Sequence, residues 1–245
     1  MATYLATVAL GDFQIERSLT PDGLPVYVAL DPREAAKSED VVAKIPDMID
    51  YFDSVFGPYP FESAGAIVDH AHFVGYALET QTKPVFDRAP SVGTLAHELA
   101  HQWYGDSVSL ERWQDIWLNE GFAEYAAWLY GEHVGGSTTR QRFDRLYATP
   151  ASDSDFWNPP SGDPGGPAKL FSGSVYQRGA MTLQALRDEV GDDAFFQILH
   201  AWASQHAYGN ANIADFVALA EKASGQDLDH FFDVWLYQPG KPTSW

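Results

Sequence analysis

The 245-residue sequence contains no cysteine, only three methionines, and 15 basic residues against 34 acidic ones. Without cysteine it can build neither a disulfide framework nor a thiolate metal site. That absence leaves the compartment open between cytoplasmic and secreted, because a large domain needs no disulfides in either setting. The shortage of Lys and Arg gives a formal net charge of −19. This argues against nucleic acid and anionic lipid as partners, since phosphate recognition requires clustered basic side chains. An acidic surface suits cationic ligands such as peptide amino groups, although simple solvation is its commoner purpose. Also missing is any apolar run near the roughly 20 residues that a membrane span requires. The opening segment lacks a basic region and alternates small with β-branched residues, so Tyr4 to Leu10 reads as a strand and not as a signal peptide.

With 45% of its residues apolar, the chain can bury a substantial core as one large domain or two lobes. The first ninety residues are mixed. Strands are predicted at Pro25 to Leu30 and Gly65 to Val68, with an extended run from Gly75 to Phe86. Between them, Val41, Val42, Ile45, Ile49, Phe52 and Phe56 recur at helical spacing over Ala35 to Phe56, and Gly57-Pro58 ends that helix. From Ser91 the pattern is helical almost throughout: Ser91 to Tyr104, Asn119 to His133, Thr138 to Tyr147, Ser174 to Val190, Asp192 to His206, Ile213 to Ala223 and Asp227 to Leu236. Pro150 to Pro167 interrupts it, rich in Pro, Gly, Ser and Asp around Phe156-Trp157. A loop of this length is a functional lid or an Ω-loop held by its aromatic residues. The expected fold class is α+β, a mixed-sheet N-terminal lobe to about residue 90 followed by an all-helical lobe over 91–240.

The segment that carries chemistry is Thr94-Leu-Ala-His97-Glu98-Leu-Ala-His101-Gln-Trp-Tyr104. On a helix, His97 and His101 project from one face, so two imidazoles can grip one Zn²⁺. A shift of one residue would swing a ligand about 100° away. Glu98 sits beside the metal as general base toward a water. The alternative is an amphipathic helix whose His and Glu decorate a surface. Catalytic zinc takes three protein ligands and keeps one position open, and His₂Glu is an established set. Glu120, in Asn119-Glu-Gly-Phe-Ala-Glu-Tyr125, is the third ligand.

His97-Glu-Leu-Ala-His101, eighteen intervening residues and then Glu120 together resemble the gluzincin pattern of the M1 aminopeptidase family. The flanks His101-Gln-Trp-Tyr-Gly-Asp106 and Trp117-Leu-Asn-Glu-Gly-Phe122 are similar too, and the likeness runs from about Ile45 to Pro242. It implies a thermolysin-like catalytic domain over 31–245 and one zinc ion. It also implies hydrolysis of the N-terminal peptide bond of peptides with a free N-terminus. Residues 1–30 then look like the closing strands of a truncated β domain, and the chain like a fragment whose remaining domains lie elsewhere in a longer enzyme.

Further roles follow from the resemblance. Tyr176, in Gly173-Ser-Val-Tyr-Gln-Arg-Gly, matches the family's oxyanion-stabilising Tyr, with Arg178 where the family has Lys. Glu79, in Gly75-Tyr-Ala-Leu-Glu-Thr, matches the carboxylate that binds the substrate α-amine. Ala77 and Leu78 then stand in the strand that pairs with the peptide, while Tyr76 and Thr80 depart from the pattern. Glu124, one turn beyond Glu120, is placed to orient His97, the alternative being a solvated Glu. Asp106 reads as a cap or loop residue. Asp69-His70-Ala-His72 offers two imidazoles and a carboxylate, but in a loop between strands it reads as exposed polar sequence. His133, His200, His206 and His230 read as structural or solvated. Three other functions share these motifs: a gluzincin endopeptidase, an epoxide hydrolase, and a catalytically silent zinc-containing binding module. Glu98 argues against the last, because a structural site needs no base.

Overall fold

A computed structural model describes residues 2–245. Strand β1 (Gln14–Leu19) exposes all six of its residues, as an edge strand can. Strand β2 (Pro25–Leu30) buries Val26, Val28, Ala29 and Leu30. Helices α1 (Ala35–Val42) and α2 (Ile45–Phe56) form the crossover to β3 (Ala64–Val68). Strands β4 (Ala77–Leu78) and β5 (Val85–Phe86) complete a five-stranded sheet in the order β1-β2-β3-β5-β4. The β2–β3 and β3–β5 pairs are parallel; β1–β2 and β5–β4 are antiparallel. Because β2 pairs with β3 from Val26↔Ala64 to Leu30↔Val68, the sheet continues without a break across residue 30.

Three local expectations are corrected. Tyr4 to Leu10 is not a strand: a 3-10 turn over Thr3–Leu5 leads into unpaired chain with Val8 and Leu10 exposed. Alternation alone makes no strand without a neighbour to bond, and the pairing goes to β1 instead. The single helix predicted over Ala35 to Phe56 is two helices, with Pro46 in the first turn of the second. There its missing N–H costs no helical bond. The extended run from Gly75 is two short strands joined by a turn in which Thr82 adopts φ 67°. The Thr82 amide donates to Gln102 Oε1 at 2.6 Å.

The rest is helical. Helix α3 (Val92–Ala100) starts at Ser91, whose hydroxyl accepts from the Thr94 amide at 3.0 Å. Strand β6 (Val108–Leu110) leads to α4 (Trp117–His133) and α5 (Thr139–Tyr147), the latter opened by a Thr138/Gln141 capping box. The Pro-rich interruption holds the short α6 (Ser154–Trp157). Trp157 is fully buried and its indole N–H donates to Pro150 O at 3.0 Å, so an aromatic side chain anchors this segment to the core. Helices α7 (Gly173–Val190), α8 (Asp192–Gln205), α9 (Ile213–Ser224) and α10 (Asp229–Phe232) follow, with a π turn over Asp233–Tyr237. Strand β7 (Gly209–Ala211), between α8 and α9, pairs in parallel with β6; neither three-residue strand is evident in the sequence pattern. The apolar stripe of α2 buries Phe52 and Phe56 edge-on against Trp103, so the sheet lobe's helix and the turn after α3 share one core. No helix among the described residues is long and apolar enough to cross a membrane.

Candidate metal centre and cleft

Helical spacing gives α3 one face with His97 and, at its C-terminal cap, His101. Their rings lie 4.9 Å apart between centroids. Helix α4 packs across α3 and brings in Glu120 from its first turn. Glu120 Oε2 is 3.2 Å from His97 Nε2 and 3.4 Å from His101 Nε2. One donor atom from each of the three buried residues lies within 4.8 Å of the other two. The far side of each imidazole is engaged as well. His101 Nδ1 lies 3.0 Å from the carbonyl oxygen of Tyr104, so Nδ1–H donates there and Nε2 is left to face Glu120. His97 Nδ1 faces Glu124 Oε2 at 3.6 Å. Glu124 is itself held, its Oε1 accepting from Trp128 Nε1 at 2.8 Å and Gln177 Nε2 at 3.0 Å. Two nitrogens and a carboxylate oxygen thus converge with their outer contacts made. That donor set fits zinc.

The electrostatics favour a dication at this point. Burial alone would raise the Glu120 carboxyl, but the two imidazoles outweigh it and hold it down at about 2. Burial would lower His97, yet Glu120 and Glu124 hold it up at about 9. Glu98, buried and next to His97, is pushed up to about 7 by burial, partly countered by the two imidazoles. Burial and the surrounding carboxylates push the Tyr176 hydroxyl well above its ordinary value, so it stays a donor. Its ring stacks on His97 with centroids 5.9 Å apart. None of the residues lining the cleft is Lys or Arg.

The cleft has a volume of about 530 Å³ and runs from this centre to Glu79. Strand β4 ends the sheet, so Ala77 and Leu78 present a backbone edge that, among the described residues, bonds to no further strand. Glu79 is buried beside it, and its Oε1 accepts from the Tyr4 hydroxyl at 2.9 Å. Tyr4 also meets the ring of Trp113 at 5.3 Å between centroids. Tyr4, Trp113 and Phe171 line the cleft together with Tyr76. The first three escape sequence reasoning, because they come from two separate 3-10 turns and the residues before α7, with no shared spacing.

All nine residues singled out for this site therefore lie in or against one cleft: His97, His101, Glu120, Glu98, Tyr176, Glu79, Ala77, Leu78 and Glu124. Asp106 is buried in the loop after α3, and among the described residues neither of its carboxylate oxygens has a hydrogen-bond partner. Burial pushes its carboxyl far up. His70 and His72 lie outside the cleft and meet Glu34 instead.

The family model described as the Peptidase family M1 domain matches residues 47–235. Aminopeptidase M1 of Arabidopsis thaliana is 29% identical over 99% of this chain and 30% of its own length. Aminopeptidase N of Streptomyces lividans is 32% identical over 77% of this chain and 23% of its own. The chain spans less than a third of the length of these curated relatives. Among solved structures, an M1 zinc metallopeptidase from Deinococcus radiodurans superposes with a TM-score of 0.82 at 28% identity, covering 95% of this chain and 54% of that one. A mutant of the Deinococcus enzyme bound to a Tyr-Ser-Ala substrate gives a TM-score of 0.81 at 27% identity, over 95% of this chain and 54% of that one.

Proposed function

This chain belongs to peptidase family M1, and on that premise we propose that it removes N-terminal residues from peptides by zinc-dependent hydrolysis. The observation that carries the reading is the shared cleft: a buried His₂Glu set with Glu98 beside it, and a second buried carboxylate, Glu79, at the far end. His97, His101 and Glu120 would hold the ion, and bound zinc supplies Lewis acidity toward the scissile carbonyl and lowers the pKa of water.

The chain's own groups do the rest. Glu79 pairs the substrate ammonium and so measures one residue to the bond cut. The free edge of β4 at Ala77 and Leu78 aligns the peptide backbone by strand addition. Glu98 accepts the proton of the attacking water and returns it to the leaving amine. Its elevated carboxyl, near neutrality, suits a group that must both take and give a proton. Tyr176 donates to the oxygen as negative charge develops there. The aromatic walls from Tyr4, Tyr76, Trp113 and Phe171 receive the N-terminal side chain.

The test is kcat/KM on matched free-amine and N-acetylated peptides, for the zinc-loaded protein and for Glu79→Ala. A hydrogen bond to a charged partner contributes roughly 1.5–3 kcal/mol, so the variant should lose about 10–100-fold on free-amine peptides and far less on acetylated ones. Equal losses on both would remove Glu79 as the amine anchor and favour an endopeptidase.

A further inference from the structure

Outside the cleft, a second cluster of imidazole and carboxylate groups joins the N-terminus of α1 to the loop before β4. Glu34 lies immediately before α1 and its side chain is almost wholly buried. Its Oε2 accepts from the Ala89 amide at 3.2 Å. Its Oε1 faces two imidazole nitrogens at once, His70 Nδ1 at 2.5 Å and His72 Nε2 at 2.9 Å. One donor atom from each residue lies within 4.8 Å of the other two. Among the described residues, these two histidines are the only ion-pair partners of the carboxylate.

A buried carboxylate shared between two imidazoles needs a compensating cation. Asp31, Asp69 and Asp87 stand around the cluster with Arg33 and Arg88. Arg33 is paired to Asp31, and Arg88 to Asp87. Lys37 also acts on Glu34, so four carboxylates face three cations and the cluster stays net negative before the imidazoles are counted.

We infer that Glu34, His70 and His72 form a second site for a divalent transition metal of the zinc class. The ligand chemistry, two nitrogens and one oxygen, suits zinc and excludes calcium or magnesium, which prefer all-oxygen shells. Ligands 2.0–2.1 Å from a tetrahedral ion are about 3.3 Å apart. Admitting the ion therefore requires the imidazoles to move outward by less than about 1 Å. Both rings can do so, because their side chains are 36% and 46% exposed. The Glu34 carboxylate is already oriented by the Ala89 amide, as a ligating carboxylate usually is. An occupied site would clamp α1 to the loop over 69–76, which Arg88 holds through the His72 carbonyl and Asp87 through the Gly75 amide. That loop delivers Tyr76 and β4 to the cleft, so the clamp would fix the edge along which a peptide could lie. The site stands on its own residues and does not depend on the peptidase reading.

The experiment is a zinc titration of the metal-free protein, with bound zinc counted by metal analysis and thermal unfolding followed at each step. The wild type should take up two equivalents and the His70→Asn/His72→Asn protein one. The His97→Asn/His101→Asn protein should also take one. Filling the second site at a hundredfold excess over its dissociation constant should raise Tm by about 5–10 °C. That rise should be missing from the His70→Asn/His72→Asn protein, whose changes fall on half-exposed rings and leave the core intact. A wild type that saturates at one equivalent overturns the site, as does a second equivalent that survives the loss of His70 and His72.

Discussion

Gly121 of α4 and Gly179 of α7 meet so closely that a β-carbon built on either would lie 2.9 Å from the Cα of the other. This contact sets the distance between the helix carrying Glu120 and the helix carrying Tyr176. Gly179→Ala must push the helices apart, at a cost of about 1–3 kcal/mol as for other overpacked sites. It should also lower kcat by moving the Tyr176 hydroxyl away from the metal ligands. Denaturant unfolding and steady-state kinetics measure the two effects. An unchanged unfolding midpoint would mean that the helices have slack at this crossing.

Arg178 is the second device that fixes α7. Fully buried, it donates to five backbone carbonyls, those of Trp157, Val234, Trp235, Gln238 and Gly240, at 2.6–3.0 Å. A lysine has three donors and no planar fork. Arg178→Lys should therefore strand at least two buried carbonyls and destabilise the protein by about 2–4 kcal/mol. A loss under about 0.5 kcal/mol, the range of ordinary surface substitutions, would contradict this role.

These contacts show where sequence reasoning works and where it stops. His97, Glu98 and His101 are legible because one helix fixes their spacing, and Glu120 with Glu124 because they follow on the next helix in a familiar order. The hydrogen bond from Tyr4 to Glu79 spans 75 residues, and the one from His70 to Glu34 spans 36. Nothing local marks Tyr4 or Glu34, since only the folded sheet lobe brings them to their partners. The pair Asp69-His70-Ala-His72 looks like an ordinary exposed loop for the same reason. Strand β1 is missed because Gln14-Ile-Glu-Arg-Ser-Leu19 buries no side chain and so carries no apolar alternation. In Tyr4 to Leu10 the alternation is present, but no strand lies beside it.

Glu124 acts on the metal only through His97. Glu124→Gln keeps an oxygen for Trp128 and Gln177 while removing the charge beside His97 Nδ1. Loss of such an outer partner typically weakens metal binding 10–100-fold. Zinc affinity measured by competition with a chelator should fall within that range, with the fold preserved. Unaltered affinity would leave Glu124 as a helix-packing residue.

Glu98, buried next to His97, is the group we propose moves the proton in zinc-dependent hydrolysis. Turnover of a free-amine peptide by Glu98→Gln, with zinc content measured on the same sample, isolates that role. The amide fills the same space but cannot accept a proton from water. The variant should retain zinc at His97, His101 and Glu120 while losing about 10²–10⁴-fold in kcat. Full zinc occupancy with near-wild-type turnover would remove Glu98 from the proton transfer.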